Sequence, residues 1–277
     1  MILKRIGAVL CALMLSVSMS DARAENKPYL DVLLVGADTR GEDRAGRSDT
    51  MILMRINREN GSLRLVSFLR DLYVEVPGHG KTRLNAAYFY GGEELLKKTL
   101  QKNFGITVDR TATVHFSTLA ELVDEIGGVE ISVEQKELPW MNSLLKDFGM
   151  PPVEAAGRQQ LNGIQALCYS RIRKLDSDFQ RTSRQQTVIA GMLKQLKDKS
   201  KWELLRMAVR YIKKVETDLT FGDMISLAPL MAAFEPDEIQ TLHMPSEGAF
   251  REETVNGMMV LVPDLKRCRA VLQDFLN

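Results

Sequence analysis

Arginine and aspartate recur in five short motifs of this chain. They are GADTR at 36–40, RSDT at 47–50, LRD at 69–71, RIR at 171–173 and DFQRTSRQQ at 178–186. A guanidinium group can bind two phosphate oxygens at once, and carboxylates can hold a divalent cation. Together the motifs predict a binding site for a pyrophosphate group.

The first of these motifs follow predicted strands. Apolar residues run almost continuously from Tyr29 to Val35, as in a strand buried on both faces. Alternating apolar residues over 50–56, turn residues over 57–61 and a second apolar run over 62–69 predict a β-hairpin.

The hairpin brings two charged motifs together. In an antiparallel pair joined by a turn, the start of the first strand lies beside the end of the second. We therefore expect Arg47 and Asp49 to lie beside Arg70 and Asp71, although the motifs are about twenty residues apart in the sequence.

The last motif falls at the start of a helix predicted from about Phe179 to Lys199. Asp178, Arg181 and Gln185 are spaced by three and four residues, so they share one face, while Arg184 points elsewhere. Asp178 and Arg181 could also form a simple ion pair at the helix N-terminus. Their occurrence with the other motifs favours the phosphate site.

The remaining elements come in mixed order. Residues 138–160 contain Pro139, Pro151 and Pro152 with few periodic apolar positions, which predicts a long loop or lid. The other predicted elements are a helix over 93–104 closed by Gly105, a strand over 113–116, a helix begun by a Thr118/Glu121 capping box and ended at Gly127, a strand over 129–133, a helix capped by Asn162 and carrying Arg173, strands over 239–244 and 259–262, and a last helix over 263–276 begun by Pro263.

The first 24 residues have the features of an export signal. Lys4 and Arg5 precede the uncharged residues 6–20, and Ala22 and Ala24 are small residues of the kind that a signal peptidase needs. The apolar run is shorter than the ~20 residues that span a bilayer, which favours a cleaved signal over an uncleaved anchor. The mature domain is then 25–277, exported to the extracytoplasmic face of the membrane, the periplasm or the cell wall.

Composition and charge limit the classes of function. The chain of 277 residues is 45 % hydrophobic and 26 % charged, enough for a substantial core. Cleavage of the first 24 residues would remove Lys4, Arg5 and Arg23 together with Asp21, which changes the formal charge from +1 to −1. A near-neutral protein of this kind argues against nucleic-acid binding.

Other sequence signals of chemistry are weak. Cys168 and Cys268 show neither CxxC nor zinc spacing; we expect two buried thiols, with a disulfide as the alternative. The phosphate loop, the nucleophile elbow and the HExxH helix have no match in the sequence.

Six ordered blocks between about Leu30 and Leu196 resemble the LytR-CpsA-Psr family of bacterial cell envelopes. The blocks are VLLVGADTR, GRSDTMILMRIN, LVSFLRDLYVEVPGHGKTRLNAAYFYGG, ELVDEIGGVEISV, LNGIQALCYSRIRK and DSDFQRTSRQQ. The resemblance implies an α/β fold: a single α-β-α domain whose central mixed sheet is flanked by helices and encloses an apolar tunnel. It also implies a phosphotransferase that moves an anionic glycopolymer, such as teichoic acid or capsular polysaccharide, from a polyprenyl-pyrophosphate carrier onto peptidoglycan.

The resemblance also implies roles for individual residues. Asp38 and Asp49 would bind Mg²⁺, with Mn²⁺ as an alternative. The implied pyrophosphate-binding residues are Arg47, Arg70, Arg171, Arg173, Arg181 and Gln185, and the implied catalytic residues are Asp49, Arg70, Asp178 and Arg181. We expect the general base to be Asp49 or Asp178, ahead of Asp71. His79, His115 and His243 are expected to be loop, strand and core residues.

Three departures from the family pattern and two alternative functions accompany this interpretation. The leader is shorter than the family's usual membrane-spanning anchor. Leu69 stands where the family usually has proline, and residues after about Lys199 fall outside the motifs, so they are expected to add packing or an acceptor-binding face. The expected partners are the lipid-linked glycopolymer, a peptidoglycan acceptor and the membrane surface. A noncatalytic polyprenyl-phosphate-binding or regulatory protein, or a pyrophosphatase acting on the same carrier, would use the same motifs.

Overall fold

A mixed β-sheet lies at the centre of the computed structural model, which describes residues 27–37, 48–173, 175–211, 214–220, 222–223 and 238–277. The strands are β1 (Tyr29–Ala37), β2 (Ser48–Asn57), β3 (Leu63–Phe68), β4 (Tyr73–Val76), β5 (Gly80–Arg83), β6 (Arg110–His115), β7 (Val129–Val133), β8 (Gly157–Leu161), β9 (Glu216–Thr217), β10 (Gln240–Met244), β11 (Phe250–Val255) and β12 (Met258–Pro263). The helices are α1 (Asn85–Phe104), α2 (Phe116–Glu125), α3 (Leu138–Asp147), α4 (Gly163–Ser170), α5 (Asp178–Lys197), α6 (Lys201–Tyr211) and α7 (Leu265–Leu276).

The central sheet has the strand order β10-β3-β2-β1-β6-β9. Strand β1 pairs antiparallel with β2 and parallel with β6, and β10 pairs parallel with β3. Successive side chains of a strand point to opposite faces of the sheet, so β1 contributes side chains to the cores on both faces. Leu33 and Val35 pack in the core cluster that contains residues of α1 and α7, whereas Leu30 and Val32 pack with Leu193 of α5. The predicted α/β class with helices on both faces of a mixed sheet is confirmed.

The predicted β-hairpin is confirmed as β2 and β3. The two strands pair antiparallel, with Met54 opposite Leu65. The side-chain oxygen of Asn57 accepts the backbone N–H groups of Glu59 (2.8 Å) and Asn60 (3.3 Å), which closes the turn as the sequence predicted.

A second core lies among α2, α3, α4, the β7–β8 hairpin and α5. Its buried residues include Val123, Val129, Met141 and Ala166. The predicted Asn162 cap is confirmed: Asn162 and Gln165 form a reciprocal capping box at the start of α4. Helix α4 ends at Ser170, so the prediction that Arg173 belongs to it was wrong.

The predicted loop or lid over 138–160 was wrong. The segment contains α3 and most of β8, which pairs with β7. Pro139 lies in the first turn of α3, where a missing N–H group is tolerated, and Met141 and Leu145 are buried. Proline was therefore a start signal rather than a break.

Three helix starts also differ from the predictions. Helix α2 begins at Phe116 after His115, without a side-chain cap, so Thr118 lies within its first turn. Pro263 ends β12, and Asp264 caps α7 by accepting the N–H of Arg267 at 3.1 Å. Helix α1 begins eight residues before the predicted Glu93, and its regular geometry is interrupted at Gly91 and Gly92.

Other predictions concern the N-terminal segment, two site residues and the cysteines. The predicted export signal and the side chains of Asp38 and Arg47 lie outside the described residues. Within the part of the chain that is described, we find no helix with the length and hydropathy of a membrane span. Cys168 and Cys268 are both buried, free thiols, as the sequence predicted.

Candidate functional site

The hairpin β2–β3 brings Asp49 and Arg70 into direct contact. Nη1 of Arg70 donates to Oδ1 of Asp49 at 2.8 Å, which confirms that the two motifs meet. Nε of Arg70 lies 3.4 Å from Oδ2 of Asp71 and 3.6 Å from Oδ2 of Asp178. Arg70 is therefore surrounded by carboxylates from three different segments.

Helix α5 supplies the second half of this cluster. Its N-cap, Ser177, accepts the N–H of Gln180 at 3.4 Å, which places Asp178 in the first turn. Asp178 binds the guanidinium of Arg181 through both oxygens, at 2.8 Å and 2.9 Å. Nη2 of Arg181 also lies 3.4 Å from the backbone oxygen of Asp49, so this arginine connects α5 to β2.

The segment after α4 adds two more arginines. Nη2 of Arg173 lies 3.7 Å from Oδ1 of Asp49, and the guanidinium of Arg171 lies over the Phe116 ring at 4.9 Å from its centroid. Arg171 and Arg173 both line the same cavity as Asp49 and Arg181. The structure thus brings together all of the predicted site residues that it describes.

Gln185 follows Arg181 by one turn of α5 and lines this cavity. Among the described residues, no partner hydrogen-bonds its buried side-chain oxygen or the buried Nε of Arg181. Buried polar atoms are normally satisfied, so unpaired ones beside a cavity indicate a place for a polar ligand.

The cavity itself is mostly apolar and has a volume of about 550 Å³. It lies between the sheet and the helices α2, α3 and α5. Its polar end holds Asp49, Arg171, Arg173, Arg181 and Gln185. Its apolar wall includes Leu34, Met54, Leu119, Trp140, Leu144, Val188, Ile189, Met192 and Leu196. The arrangement suits a molecule with an anionic head and a hydrocarbon tail.

Burial changes the charge balance at the polar end. Burial raises the pKa of Asp178 despite the attraction of Arg181 and Arg70. Burial also lowers the pKa of Arg181, against the opposing effect of Asp178. Both shifts favour the neutral forms, so desolvation outweighs the ion pair. An anionic ligand would offset part of the cost of burying the charged guanidinium of Arg181.

Arg184 supports the site from behind. The helical spacing predicted only that it points away from the face of Asp178, Arg181 and Gln185. Its Nε binds Oε1 of Glu137 at 2.6 Å, its Nη1 binds Asp176 at 3.0 Å, and Nη1 also donates to the backbone oxygen of Ile172 at 3.3 Å. Sequence reasoning missed Glu137 because it lies 47 residues away and no local pattern links it to α5.

His79 and His115 occupy the expected loop and strand positions, whereas His243, expected in the core, is half-buried. His79 lies in the β4–β5 turn and stacks on Tyr90, His115 ends β6, and His243 lies on β10. The two ring nitrogens of His243 lie 3.1 Å from the hydroxyls of Thr182 and Ser183. Burial lowers the pKa of His243, which favours its neutral form.

Known proteins resemble this chain over nearly its whole length. A sequence model of the LytR_cpsA_psr family matches residues 13–275. The polyisoprenyl-teichoic acid–peptidoglycan teichoic acid transferase TagU of Enterococcus faecalis is 32 % identical over 271 residues, which is 93 % of this chain and 83 % of the relative. The transferase TagT of Bacillus subtilis, named in the same way, is 34 % identical over 224 residues, 76 % of this chain and 67 % of TagT.

Solved structures show the same fold. A structure of TagT bound to LIIa-WTA has a TM-score of 0.75 and 27 % identity, covering 90 % of this chain and 91 % of that chain. The LytR-CPS2A-psr family protein YwtF (TagT) with bound octaprenyl pyrophosphate lipid has a TM-score of 0.69 and 25 % identity over the same shares of the two chains. The protein belongs to the LytR-CpsA-Psr family.

Proposed function

We propose that this protein transfers an anionic glycopolymer from a polyprenyl-pyrophosphate carrier onto peptidoglycan. The observation that carries the proposal is the cavity of about 550 Å³, whose apolar wall leads to a cluster of arginines. A polyprenyl chain fits the apolar wall, and a pyrophosphate fits the arginines. The names of TagU and TagT and the octaprenyl pyrophosphate bound to YwtF support the same substrate class.

The proposed reaction exchanges one phosphorus–oxygen bond for another. An acceptor hydroxyl oxygen of peptidoglycan bonds to the phosphorus that carries the glycopolymer. The bond from this phosphorus to the bridging oxygen breaks, and polyprenyl monophosphate leaves. Arg70, Arg171, Arg173 and Arg181 would neutralise the charge that grows on the phosphate oxygens, with Arg47 as a further ligand. Export of the chain would place this reaction outside the cytoplasm.

We assign different roles to the two candidate bases. Asp178 uses both oxygens to hold Arg181, so it acts as a positioning residue for that guanidinium. Both described ion contacts of Asp49 go to Oδ1, and the side chain is 30 % exposed. Asp49 is therefore the better placed of the two to accept the hydroxyl proton or to bind a cation.

Mg²⁺ would complete the site. This ion commonly binds to one or two carboxylates together with substrate phosphates. Within the described residues, we find no group of three or more His, Cys, Asp or Glu side chains that could hold a metal ion by itself. Asp49, with Asp38 as the second carboxylate, would bind the ion, which would supply positive charge to the phosphate oxygens.

Metal binding can be measured apart from catalysis. We expect Mn²⁺, used as a paramagnetic probe, to bind the purified protein only weakly without pyrophosphate and at least about tenfold more tightly with it. Asp49→Asn should remove this gain, and Glu130→Gln on β7 should keep it. Equal Mn²⁺ binding by both variants would exclude Asp49 as a ligand.

The transfer proposal is tested with a polyprenyl-pyrophosphate-linked oligosaccharide, peptidoglycan fragments and Mg²⁺. We expect saccharide attachment with the unchanged protein and a loss of at least about 100-fold with Asp49→Ala and with Arg70→Ala. Arg158→Ala is the matched control, because that side chain is 76 % exposed on β8.

The other outcomes separate the alternatives. Phosphate release without attachment would identify a pyrophosphatase that uses water as the acceptor. Carrier binding with neither transfer nor phosphate release, across several saccharides, would identify a noncatalytic binding or regulatory protein.

A further inference from the structure

Helix α6 carries an exposed stripe made of tryptophan, arginine and valine. Trp202, Arg206 and Val209 are spaced by four and three residues, so they share one helix face. Trp202 is 76 % exposed and Val209 is 59 % exposed. The opposite face is packed: Tyr211 is buried, and Met207 contacts the core beneath α2 and α3. An exposed indole that shares a helix face with an exposed valine, bordered by charged residues, has the character of an interaction surface.

The sequence around the stripe is strongly basic. Between residues 194 and 214, eight lysines and arginines stand against Asp198 and Glu203, whereas the whole chain has a formal charge of only +1. Two of the eight, Arg210 and Lys214, form ion pairs with Glu125 and Glu121 of α2, so the excess of positive charge lies on the other six. Anionic lipid head groups attract polybasic segments, and tryptophan favours the interface between head groups and acyl chains. A soluble polyanion would be attracted by the charges but would leave the indole and Val209 without an apolar environment.

The position of α6 relates this surface to the cavity. The cavity follows one face of α5, from Arg181 and Gln185 at the polar end to Leu193 and Leu196 at the apolar end. At 1.5 Å per residue, Arg181 and Leu196 are about 22 Å apart along the axis. Helix α6 begins at Lys201, directly after the apolar end.

Contacts on its other end fix α6 beside a second wall of the cavity. The hydroxyl of Tyr211 donates to the backbone oxygen of Glu121 at 3.2 Å, and Arg210 forms an ion pair with Glu125. Glu121 and Glu125 belong to α2, which contributes Leu119 and other apolar residues to the cavity wall. The exposed stripe is thus held next to the apolar end of the cavity.

We propose that the outer face of α6 docks on an anionic lipid bilayer and places the apolar end of the cavity at the membrane surface. Trp202 and Val209 would enter the interface, and Arg206 would contact lipid phosphates. A polyprenyl tail could then pass from the bilayer into the cavity while its pyrophosphate reaches Arg70 and Arg181. The docking surface goes beyond the proposed reaction and rests on it only for the lipid nature of the substrate.

The fluorescence of Trp202 provides a direct test. The chain has two tryptophans, so Trp140→Phe leaves Trp202 as the only reporter. We would use residues 25–277 to remove the hydrophobic leader, because all three core clusters are built from residues between Leu30 and Leu276. A thermal melt compared with that of the full chain checks that the truncated protein is folded.

Vesicles of equimolar phosphatidylcholine and phosphatidylglycerol are then compared with vesicles of phosphatidylcholine alone. On the anionic vesicles we expect a blue shift of Trp202 emission and quenching by lipids brominated near the head group. Arg206→Glu should weaken vesicle binding about tenfold or more, and so should Trp202→Ser, measured by sedimentation.

Matched variants separate this surface from general charge and exposure. Lys266→Glu makes the same charge change on α7, and Met259→Ser removes a side chain that is 65 % exposed on β12. Both should bind anionic vesicles like the unchanged protein. Equal binding to the two vesicle types, or equal losses in the control variants, would overturn the proposal. Binding to soluble polyphosphate with no blue shift on vesicles would also overturn it, in favour of a polyanion surface.

Failure of docking can be distinguished from failure of the proposed reaction. With a short-chain carrier in detergent, Trp202→Ser and Arg206→Glu should transfer saccharide at the unchanged rate, since neither residue lines the cavity. Vesicle docking without transfer by any form of the protein would leave the surface intact and reject the reaction.

Discussion

Arg184 stabilises the segment that presents Arg171 and Arg173 to the cavity. It is only 4 % exposed, and its guanidinium joins Glu137, Asp176 and the backbone oxygen of Ile172. Ile172 lies between Arg171 and Arg173, so Arg184 fixes the backbone of both without lining the cavity itself. Arg184 thus has a supporting role, while Arg181, three residues earlier, lines the cavity.

We expect Arg184→Met to lower the free energy of unfolding by about 3–5 kcal/mol. The reason is that Glu137, which is 3 % exposed, would keep a buried charge without its partner. Urea denaturation measures the change. Arg158→Met, at an exposed ion pair, should cost less than about 1 kcal/mol. Similar small losses in both variants would contradict the importance of the buried network.

A second prediction concerns the pH dependence of Asp178. Burial raises the pKa of this carboxyl, so the folded chain favours its protonated form more than the unfolded chain does. Its contribution to stability is therefore fully present below its unfolded pKa of about 3.9 and is lost as pH rises through the folded pKa. Since asparagine does not titrate, the melting temperature of Asp178→Asn relative to the unchanged protein should rise between about pH 4 and pH 7.

The control for this measurement has the opposite sign. The hydrogen bond from Lys102 lowers the pKa of Glu75, whose contribution to stability is therefore lost as pH falls. The relative melting temperature of Glu75→Gln should not rise over the same interval. A constant or falling difference for Asp178→Asn would show that its folded pKa is not raised.

At the scale of elements, five strands of the central sheet (β1, β2, β3, β6 and β10) and the charged helix face could be predicted from local patterns. The alternation over 50–56 and the turn residues after it determine the β2–β3 hairpin, and the hairpin alone is enough to bring Asp49 to Arg70. The spacing of Asp178 and Arg181 is likewise a local property of α5. The loop prediction for 138–160 was wrong because α3 is stabilised by burial of Met141 and Leu145 against distant elements, which local composition does not reveal.

Close contact between helices gives a third prediction. A Cβ atom at Gly163 would lie 2.1 Å from the backbone oxygen of Ala120 in α2, whereas one at Gly191 would lie 3.4 Å from its nearest neighbour, a side-chain atom of Val129. We expect Gly163→Ala to destabilise the protein by about 2 kcal/mol or more, because α2 and α4 must separate. Gly191→Ala should stabilise it by up to about 1 kcal/mol through helix propensity.

Urea denaturation of the two variants side by side measures both effects. The same chemical change is made in two helices, so propensity alone predicts the same sign for both. Stabilisation of both variants would show that α2 and α4 are not in close contact at Gly163.

At the scale of the whole molecule, the cavity is the feature that local patterns could not reveal. Its wall combines Leu34 of β1, Leu119 of α2, Leu144 of α3 and Ile189 of α5. Each of these residues looks like an ordinary core position within its own element. Whether such side chains meet or enclose a space depends on the distance between the sheet and the helices, which no local pattern encodes. The expectation of a tunnel therefore came from the family resemblance.

The cavity supports a fourth prediction. Ile189→Trp adds volume to the apolar wall, so it should weaken binding of long-chain polyprenyl carriers about tenfold or more. Short-chain carriers should bind as before, because the polar end is unchanged. Titration calorimetry with carriers of two lengths measures the difference, and Met259→Trp on β12 is the control. Equal losses for both lengths would place the tail elsewhere.

The burial of Cys168 and Cys268 has a consequence for biogenesis. Cys168 packs in the core around α3 and α4, and Cys268 packs in the separate core between the sheet and α7. Burial raises the pKa of Cys168 to about 11, so its thiolate, the form that exchanges disulfides, is scarce. Folding of the described domain therefore needs no oxidative step between Cys168 and Cys268, so contact with a disulfide-forming enzyme should leave its native structure unchanged.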